Sequence, residues 1–222
     1  MPWIKFIENL TLLIPIEIVL GIVIVHHGNR RYSGYARILI HDLIIALLVD
    51  LTSRWLGKYF QNNLLLVPIY ALLELLILSQ IYLQFMLKRR RQLFLILSIV
   101  SILYISLEIL YLSSSSTIAF QSYSRTLCSF IMTLYALNYF IEGIKFTNHN
   151  KNLINLNTVF LFYFACNFFI YLPINFFINA TTDTKYLLWI FNLFIIFIYY
   201  LAILRAIWRS GGSKKPLYYG SS

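Results

Sequence analysis

The chain has 222 residues, of which 60% are hydrophobic and 12% are charged, and its formal net charge at pH 7 is +10. A soluble domain of this length would carry about twice that share of charged residues, so the composition excludes an ordinary soluble fold. In a membrane protein, an excess of positive charge is typical of segment ends beside anionic lipid, and it does not indicate nucleic-acid binding.

Seven apolar segments follow one another along the chain, each with about the 20 residues that a membrane-spanning helix needs. We predict spans at residues 3–25, 36–57, 64–87, 93–112, 118–144, 153–178 and 186–208. Only short polar stretches separate them, so residues 1–209 are predicted to form one all-α bundle of seven transmembrane helices. Residues 210–222 are expected to form a flexible cytoplasmic tail. We interpret some of the last residues of this tail as an artificial extension.

The basic residues predict the orientation of the bundle. Most of the 18 Lys and Arg residues lie in the connections after the first, third and fifth spans and at the C-terminal end. Because cytoplasmic connections are enriched in Lys and Arg, the N-terminus is predicted to lie outside and the C-terminus in the cytoplasm. Tryptophans favour the membrane interface, and all of them fall at predicted span ends: Trp3, Trp55, Trp189 and Trp208.

Acidic residues are unexpectedly concentrated in the apolar segments. Of the eight Asp and Glu residues, only Asp183 lies in a predicted connection. Each charge exposed to lipid at mid-depth would cost about 2.5–3.5 kcal/mol. These side chains are therefore expected to face the bundle interior, to form pairs, to lie near an interface or to be protonated.

A first group of polar residues is predicted in the outer half of the bundle. Asp50 and Arg54 are one helical turn apart on the second span, so they can form an ion pair. Glu108, Arg125 and Asn192 fall at a similar predicted depth on three other spans, as does Glu8 on the first span. Together they predict a charged lining for a pocket open to the outside, with Arg125 as its anchor. The alternative is that these side chains are buried polar contacts that hold the helices together.

A second group is predicted near the midplane. Glu17, Glu74 and Asn167 lie there, and no Lys or Arg falls at the same predicted depth. We therefore expect at least one of the two carboxyl groups to be neutral at pH 7. The two could share a proton, or each could donate separately to the backbone or to Asn167.

Enzymatic chemistry has no support in the sequence. No metalloprotease, serine-hydrolase, P-loop or dinucleotide-binding motif is present, so we predict no enzyme, no metal site and no cofactor. His26 and His27 are interpreted as interfacial, and His41 with Asp42 as a polar contact at the inner end. Cys128 and Cys166 lie inside apolar runs and are interpreted as small apolar residues.

Several stretches resemble small bacterial seven-helix membrane modules that are encoded near, or fused to, two-component signalling proteins. They are "PIYALLELL" (68–76), "FQSYSRTL" (120–127), "YFIEG" (139–143), "NTVFLFYFACNFFIYL" (157–172) and "WIFNLFIIFIYY" (189–200). The resemblance implies recurrent polar positions at Glu17, Asp50, Glu74, Tyr123, Arg125, Glu142, Asn157 and Asn167. The chain departs from the pattern at Asp50, where glutamate is usual, at Asn155, where tryptophan is expected, and at Gln121, where asparagine is expected.

Three functions are open on these grounds. The favoured one is a sensory or signal-transducing subunit that binds a small ligand in the outer pocket and acts through a partner protein. That partner would lie on the cytoplasmic side or in the membrane, which we expect to be the bacterial cytoplasmic membrane. The alternatives are a structural subunit of a larger membrane complex and a proton-coupled small-solute transporter that uses the midplane carboxyl groups.

Overall fold

The computed structural model describes residues 10–27, 32–60, 63–114, 123–145, 150–176 and 182–211. All regular elements in these ranges are helices. Numbered in chain order, they are α1 (Leu13–His27), α2 (Gly34–Phe60), α3 (Leu66–Ile81), α4 (Arg91–Ser114), α5 (Ser124–Lys145), α6 (Lys151–Phe176) and α7 (Thr182–Ser210). The all-helical prediction is therefore confirmed. Glu8, Trp3 and the C-terminal tail from residue 212 lie outside the described ranges.

Five of these helices are long and apolar enough to cross a membrane, namely α3 to α7. The helix α1 is also apolar, but it is described over 15 residues and is shorter than the others. The helix α2 has 27 residues, and Asp42, Asp50 and Arg54 within it make it less apolar. Helical segments thus match the predicted spans, while the number of spans and their orientation stay predictions.

The third helix ends in an unusual way. After Ile81 it continues as a π-helical turn, Tyr82–Met86, and stops at Leu87, whose backbone is extended. The Leu87 N–H donates to the Tyr82 carbonyl at 2.8 Å, which closes the wide turn. At the other end of α3, Pro68 lies in the first turn, where a helix needs no backbone donor.

The helices alternate in direction. We call the upper end the one at which α1, α3, α5 and α7 begin, and the lower end the one at which they finish. Contacts run from α1 to α2, α2 to α3, α3 to α5, α5 to α6, α6 to α7 and back from α7 to α1. These six helices form a closed ring, and α4 packs outside it against α3 and α5.

Close packing holds the ring together at its seam. Gly21 of α1 faces Leu204 of α7, and a Cβ atom at this glycine would collide with the leucine side chain. Small residues of this kind let two helices approach closely. Close approach increases the dispersion contacts that hold helices together in lipid.

An aromatic layer fills the middle of the ring. The Tyr163 and Tyr199 rings stack with centroids 3.7 Å apart, and Tyr82 lies 5.0 Å from Tyr135 and 5.8 Å from Phe160. Each of these side chains is at most 2% exposed. Rings packed in this way leave a dense plug between the upper and lower halves.

Candidate functional site

A cavity of about 430 Å³ lies in the upper half of the ring. Its mouth is lined by partly exposed side chains from α2, from α7 and from the residues just before α1, including Arg54, Trp189 and Thr11. Its floor is formed by buried groups, including Arg125 of α5 and Tyr163 of α6. The volume and the mainly aromatic and aliphatic lining are typical of a site for a small molecule.

An ion pair holds one side of the mouth. As the helical spacing predicts, Arg54 donates to Asp50, with Nε 2.7 Å from Oδ2 and Nη2 3.2 Å from Oδ1. The same guanidinium donates to the Thr11 hydroxyl at 3.0 Å and to the Thr11 carbonyl at 2.8 Å. Arg54 therefore joins the residues just before α1 to the last part of α2, as well as pairing with its own helical neighbour.

The floor is built on a second ion pair, between Arg125 and Glu74. The Glu74 side chain is fully buried and that of Arg125 is 5% exposed. This pair corrects the expectation that no basic residue lies beside Glu74, and it gives Arg125 a carboxylate partner from outside the predicted outer group. The predicted depths of these residues were wrong because they assume that the centres of all spans lie in one plane. In the structure the first turn of α5 packs beside the third turn of α3.

Tyrosines surround the buried pair on three sides. The Arg125 Nη2 donates to the Tyr163 hydroxyl at 2.7 Å, and the guanidinium lies 5.2 Å from the Tyr70 ring and 5.8 Å from the Tyr171 ring. Such distances permit cation–π attraction, which is strongest where water is excluded. The Tyr70 hydroxyl lies 3.1 Å from that of Tyr200, which brings α7 into the same cluster.

Hydrogen-bonding capacity is left unused at the cavity. A guanidinium has five N–H donors, and in the described part of the chain Arg125 donates only to Glu74 and Tyr163. Asn192 donates to the Tyr171 hydroxyl at 3.2 Å, but its own Oδ1 is buried and has no partner among the described residues. Unfilled donors and acceptors beside a cavity are groups that a ligand could satisfy.

Two predicted site residues lie elsewhere. The Glu108 carboxylate accepts a hydrogen bond from the Tyr123 backbone N–H at 3.0 Å, and neither residue lines the cavity. Glu108 thus holds the end of α4 to the residue that precedes α5. Its predicted place in the lining of the pocket with Asp50 and Asn192 is wrong, because α4 packs outside the ring.

The midplane residues are separate in the structure. The Glu17 carboxylate is 8% exposed and has no hydrogen-bond partner in the described ranges, while Glu74 is bound to Arg125. The Asn167 amide donates to the Tyr163 carbonyl one turn earlier on its own helix, at 2.8 Å. A shared proton between Glu17 and Glu74 is therefore wrong, and so is donation by either one to Asn167.

Polar residues of the lower half have partners inside the protein. The Asn157 side chain accepts from the Tyr82 hydroxyl at 2.8 Å and donates to the Ala136 carbonyl at 3.1 Å. Glu142 accepts from the Lys88 backbone N–H at 3.3 Å and from the Asn138 amide at 3.1 Å. These contacts fasten the π-helical turn of α3 and the turn after it to α5 and α6.

Asp42 is the exception among the buried groups of α2. It is 1% exposed, and neither carboxyl oxygen has a hydrogen-bond partner in the described ranges. The preceding His41 is exposed, so the expected polar contact between these two neighbours is not formed. Asp42 lies near enough to Glu74 and Arg125 to interact with them electrostatically.

Tyrosines were the functional residues that the sequence analysis missed. In a chain with 17 tyrosines and 18 phenylalanines, any single ring looks like packing. Helical spacing from the predicted polar residues would have found the cavity tyrosines. Tyr70 precedes Glu74 by four residues, Tyr163 and Tyr171 flank Asn167 by four on either side, and Tyr200 follows Asn192 by eight.

No group of three His, Cys, Asp or Glu side chains in the described ranges is arranged to hold a metal ion. Comparisons of this chain with protein-family models, with curated proteins and with solved structures find no match.

Proposed function

We propose that this chain is a seven-span integral membrane protein that binds a small ligand in the upper cavity and transmits a signal to a partner protein. The upper end would face outward and the lower end the cytoplasm of a bacterial cell. The distribution of Lys and Arg supports this orientation. The resemblance to small seven-helix modules associated with two-component proteins supports the signalling role.

The unused donors of Arg125 at the floor of the cavity carry this proposal. These donors favour a ligand with a carboxylate or carbonyl group. A guanidinium only donates hydrogen bonds, and the oxygens of such groups only accept them. The aromatic rings around the guanidinium favour an otherwise apolar body.

The floor also offers a route for the signal. A ligand oxygen bound to the unused donors of Arg125 would share the guanidinium with Glu74 of α3 and Tyr163 of α6 and shift its position between them. Tyr163 stacks on Tyr199 of α7, below the cavity. Ligand binding would thus favour one of two arrangements of these helices, which is the physical requirement for a change at the lower end.

Ligand binding is tested by the emission of Trp189, which lines the cavity mouth. In a variant with Trp3, Trp55 and Trp208 replaced by Phe, the probes are cyclohexanecarboxylate and cyclohexanol, which differ in the carboxylate. A saturable emission change with the carboxylate alone, abolished by Arg125→Lys, supports the proposal. No saturable change with either probe, or equal changes in the Lys variant, contradicts it.

Signal output is tested separately in native membrane. Photo-crosslinkers at Arg90 and Lys151, which are exposed at the lower end, should capture a specific partner protein. A matched crosslinker at Leu107, on the exposed face of α4, reports random neighbours. Equal labelling from all three positions contradicts the proposal.

A transporter is the second candidate because of two carboxyl groups. Glu17 and Asp42 are buried without hydrogen-bond partners in the described ranges, as groups that take up and release protons would be. Proteoliposomes with an imposed pH gradient distinguish the two functions. Solute or proton flux that Asp42→Asn abolishes would favour transport over sensing.

A further inference from the structure

A second crevice lies at the lower end, between α6 and α7. It has a volume of about 320 Å³. Two arginines and two asparagines border it, and all four side chains are exposed: Arg205, Arg209, Asn152 and Asn155. Deeper in, its walls are apolar and include Leu156 and Ala206.

The arginines of this crevice are free to bind an anion. Arg205 and Arg209 are one helical turn apart, so both side chains project from the same face of α7. No carboxylate in the described ranges lies within ion-pair distance of either one. Since α7 ends at Ser210, both lie within its last two turns, at the level where a bilayer places its phosphate groups.

An apolar groove continues from the crevice toward the middle of the bundle. It has a volume of about 200 Å³, runs between the same two helices, and shares Val159 and Ala202 with the crevice. Its other walls include the exposed side chains of Phe162 and Ile198. The gap exists because α7 presents alanines at positions 202 and 206, which are too small to fill the space against α6.

We infer that the crevice and groove together bind one anionic phospholipid, with its phosphate at Arg205 and Arg209 and an acyl chain along the groove. Charge complementarity selects the headgroup, since the border has two cations and no acid among the described residues. The apolar continuation selects a lipid over a free phosphate, because only a molecule with a tail fills both volumes. The crevice with its two arginines lies at the lower end, and the groove reaches the aromatic layer, where Tyr163 borders both the groove and the upper cavity. The lipid site is inferred without a ligand in the upper cavity.

The test is native mass spectrometry of the detergent-solubilised protein with equal amounts of phosphatidylglycerol and phosphatidylcholine. The wild-type chain should retain phosphatidylglycerol preferentially. Arg205→Gln with Arg209→Gln should weaken that preference roughly 30-fold, since each basic residue near a headgroup contributes about a factor of five. Both arginines are exposed, so the variant keeps its fold.

Two further variants separate a built site from general surface charge. Arg90→Gln with Arg91→Gln removes the same charge at the same end and should leave the preference unchanged. Ala202→Leu keeps both arginines but blocks the junction of crevice and groove, and it should weaken retention. Equal losses in the Arg90/Arg91 control, no loss in the Leu variant, or displacement by glycerol phosphate as effective as by intact lipid would each overturn the inference.

Discussion

The upper and lower halves of the ring contain the same kinds of polar residue and use them differently. In the lower half, Asn157 and Glu142 have their hydrogen bonds supplied by neighbouring helices. In the upper half, Arg125 and Asn192 face a cavity with part of their capacity unfilled in the described structure. These four polar residues, buried in an apolar bundle, thus serve either packing or binding. What separates the two is whether the protein satisfies them itself.

The largest expected effect comes from breaking the buried pair at the cavity floor. Arg125→Leu leaves the Glu74 carboxylate buried without its partner, which should lower the free energy of unfolding by about 3–5 kcal/mol. Denaturation in detergent, followed by circular dichroism, measures this loss. Glu74→Gln in the same chain should restore much of it, whereas Asp50→Asn should not. Rescue by Asp50→Asn alone would place the partner of Arg125 at the mouth.

A polar residue of the lower half should affect stability without affecting binding. Asn157→Leu removes the hydrogen bonds to Tyr82 and to the Ala136 carbonyl. The carbonyl keeps its bond within α5, but the buried Tyr82 hydroxyl loses its acceptor, so we expect a loss of about 1–3 kcal/mol. The response of Trp189 to carboxylate probes should be unchanged at temperatures where the variant is folded. A changed response would show that the two halves are coupled.

These two predictions mark what the sequence could and could not reveal. Apolar runs predicted the helices, and the spacing of Asp50 and Arg54 predicted their ion pair, because both depend on residues close together in the chain. The Arg125–Glu74 pair depends on how far α3 and α5 are shifted along the bundle, and no local pattern records that shift. The place of α4 outside the ring, which removes Glu108 from the cavity, is likewise a property of the assembled helices.

Replacing the buried carboxyl group of Asp42 should stabilise the protein, in contrast to the two substitutions above. The Asp42 carboxyl group is buried without a hydrogen-bond partner in the described ranges, so it carries a desolvation cost that no hydrogen bond there offsets. Asp42→Leu is therefore expected to raise the free energy of unfolding by about 1 kcal/mol. Asp42→Asn, which keeps an unsatisfied polar group, is the matched control and should change stability less. Destabilisation by the leucine would indicate that Asp42 has a role of its own in the fold.

The smallest effect is expected at the mouth of the cavity. The Asp50–Arg54 side chains are 29% and 32% exposed, and an ion pair of that exposure contributes only about 0–1 kcal/mol. Arg54→Gln should therefore leave stability nearly unchanged while altering the emission of Trp189 through the loosened start of α1. A stability loss as large as that of Arg125→Leu would remove the distinction between mouth and floor.

The π-helical turn at the end of α3 has a consequence for insertions and deletions. One π turn is the length of an α turn with a single additional residue. Tyr82, which binds Asn157, begins this turn, and Lys88, whose backbone binds Glu142, follows it, so both ends of the segment are held by another helix. Removing one residue between them would restore an ordinary α-helix and rotate everything beyond it by about 100°. Because both ends of the segment are held by hydrogen bonds, insertions and deletions in it should be tolerated less well than substitutions.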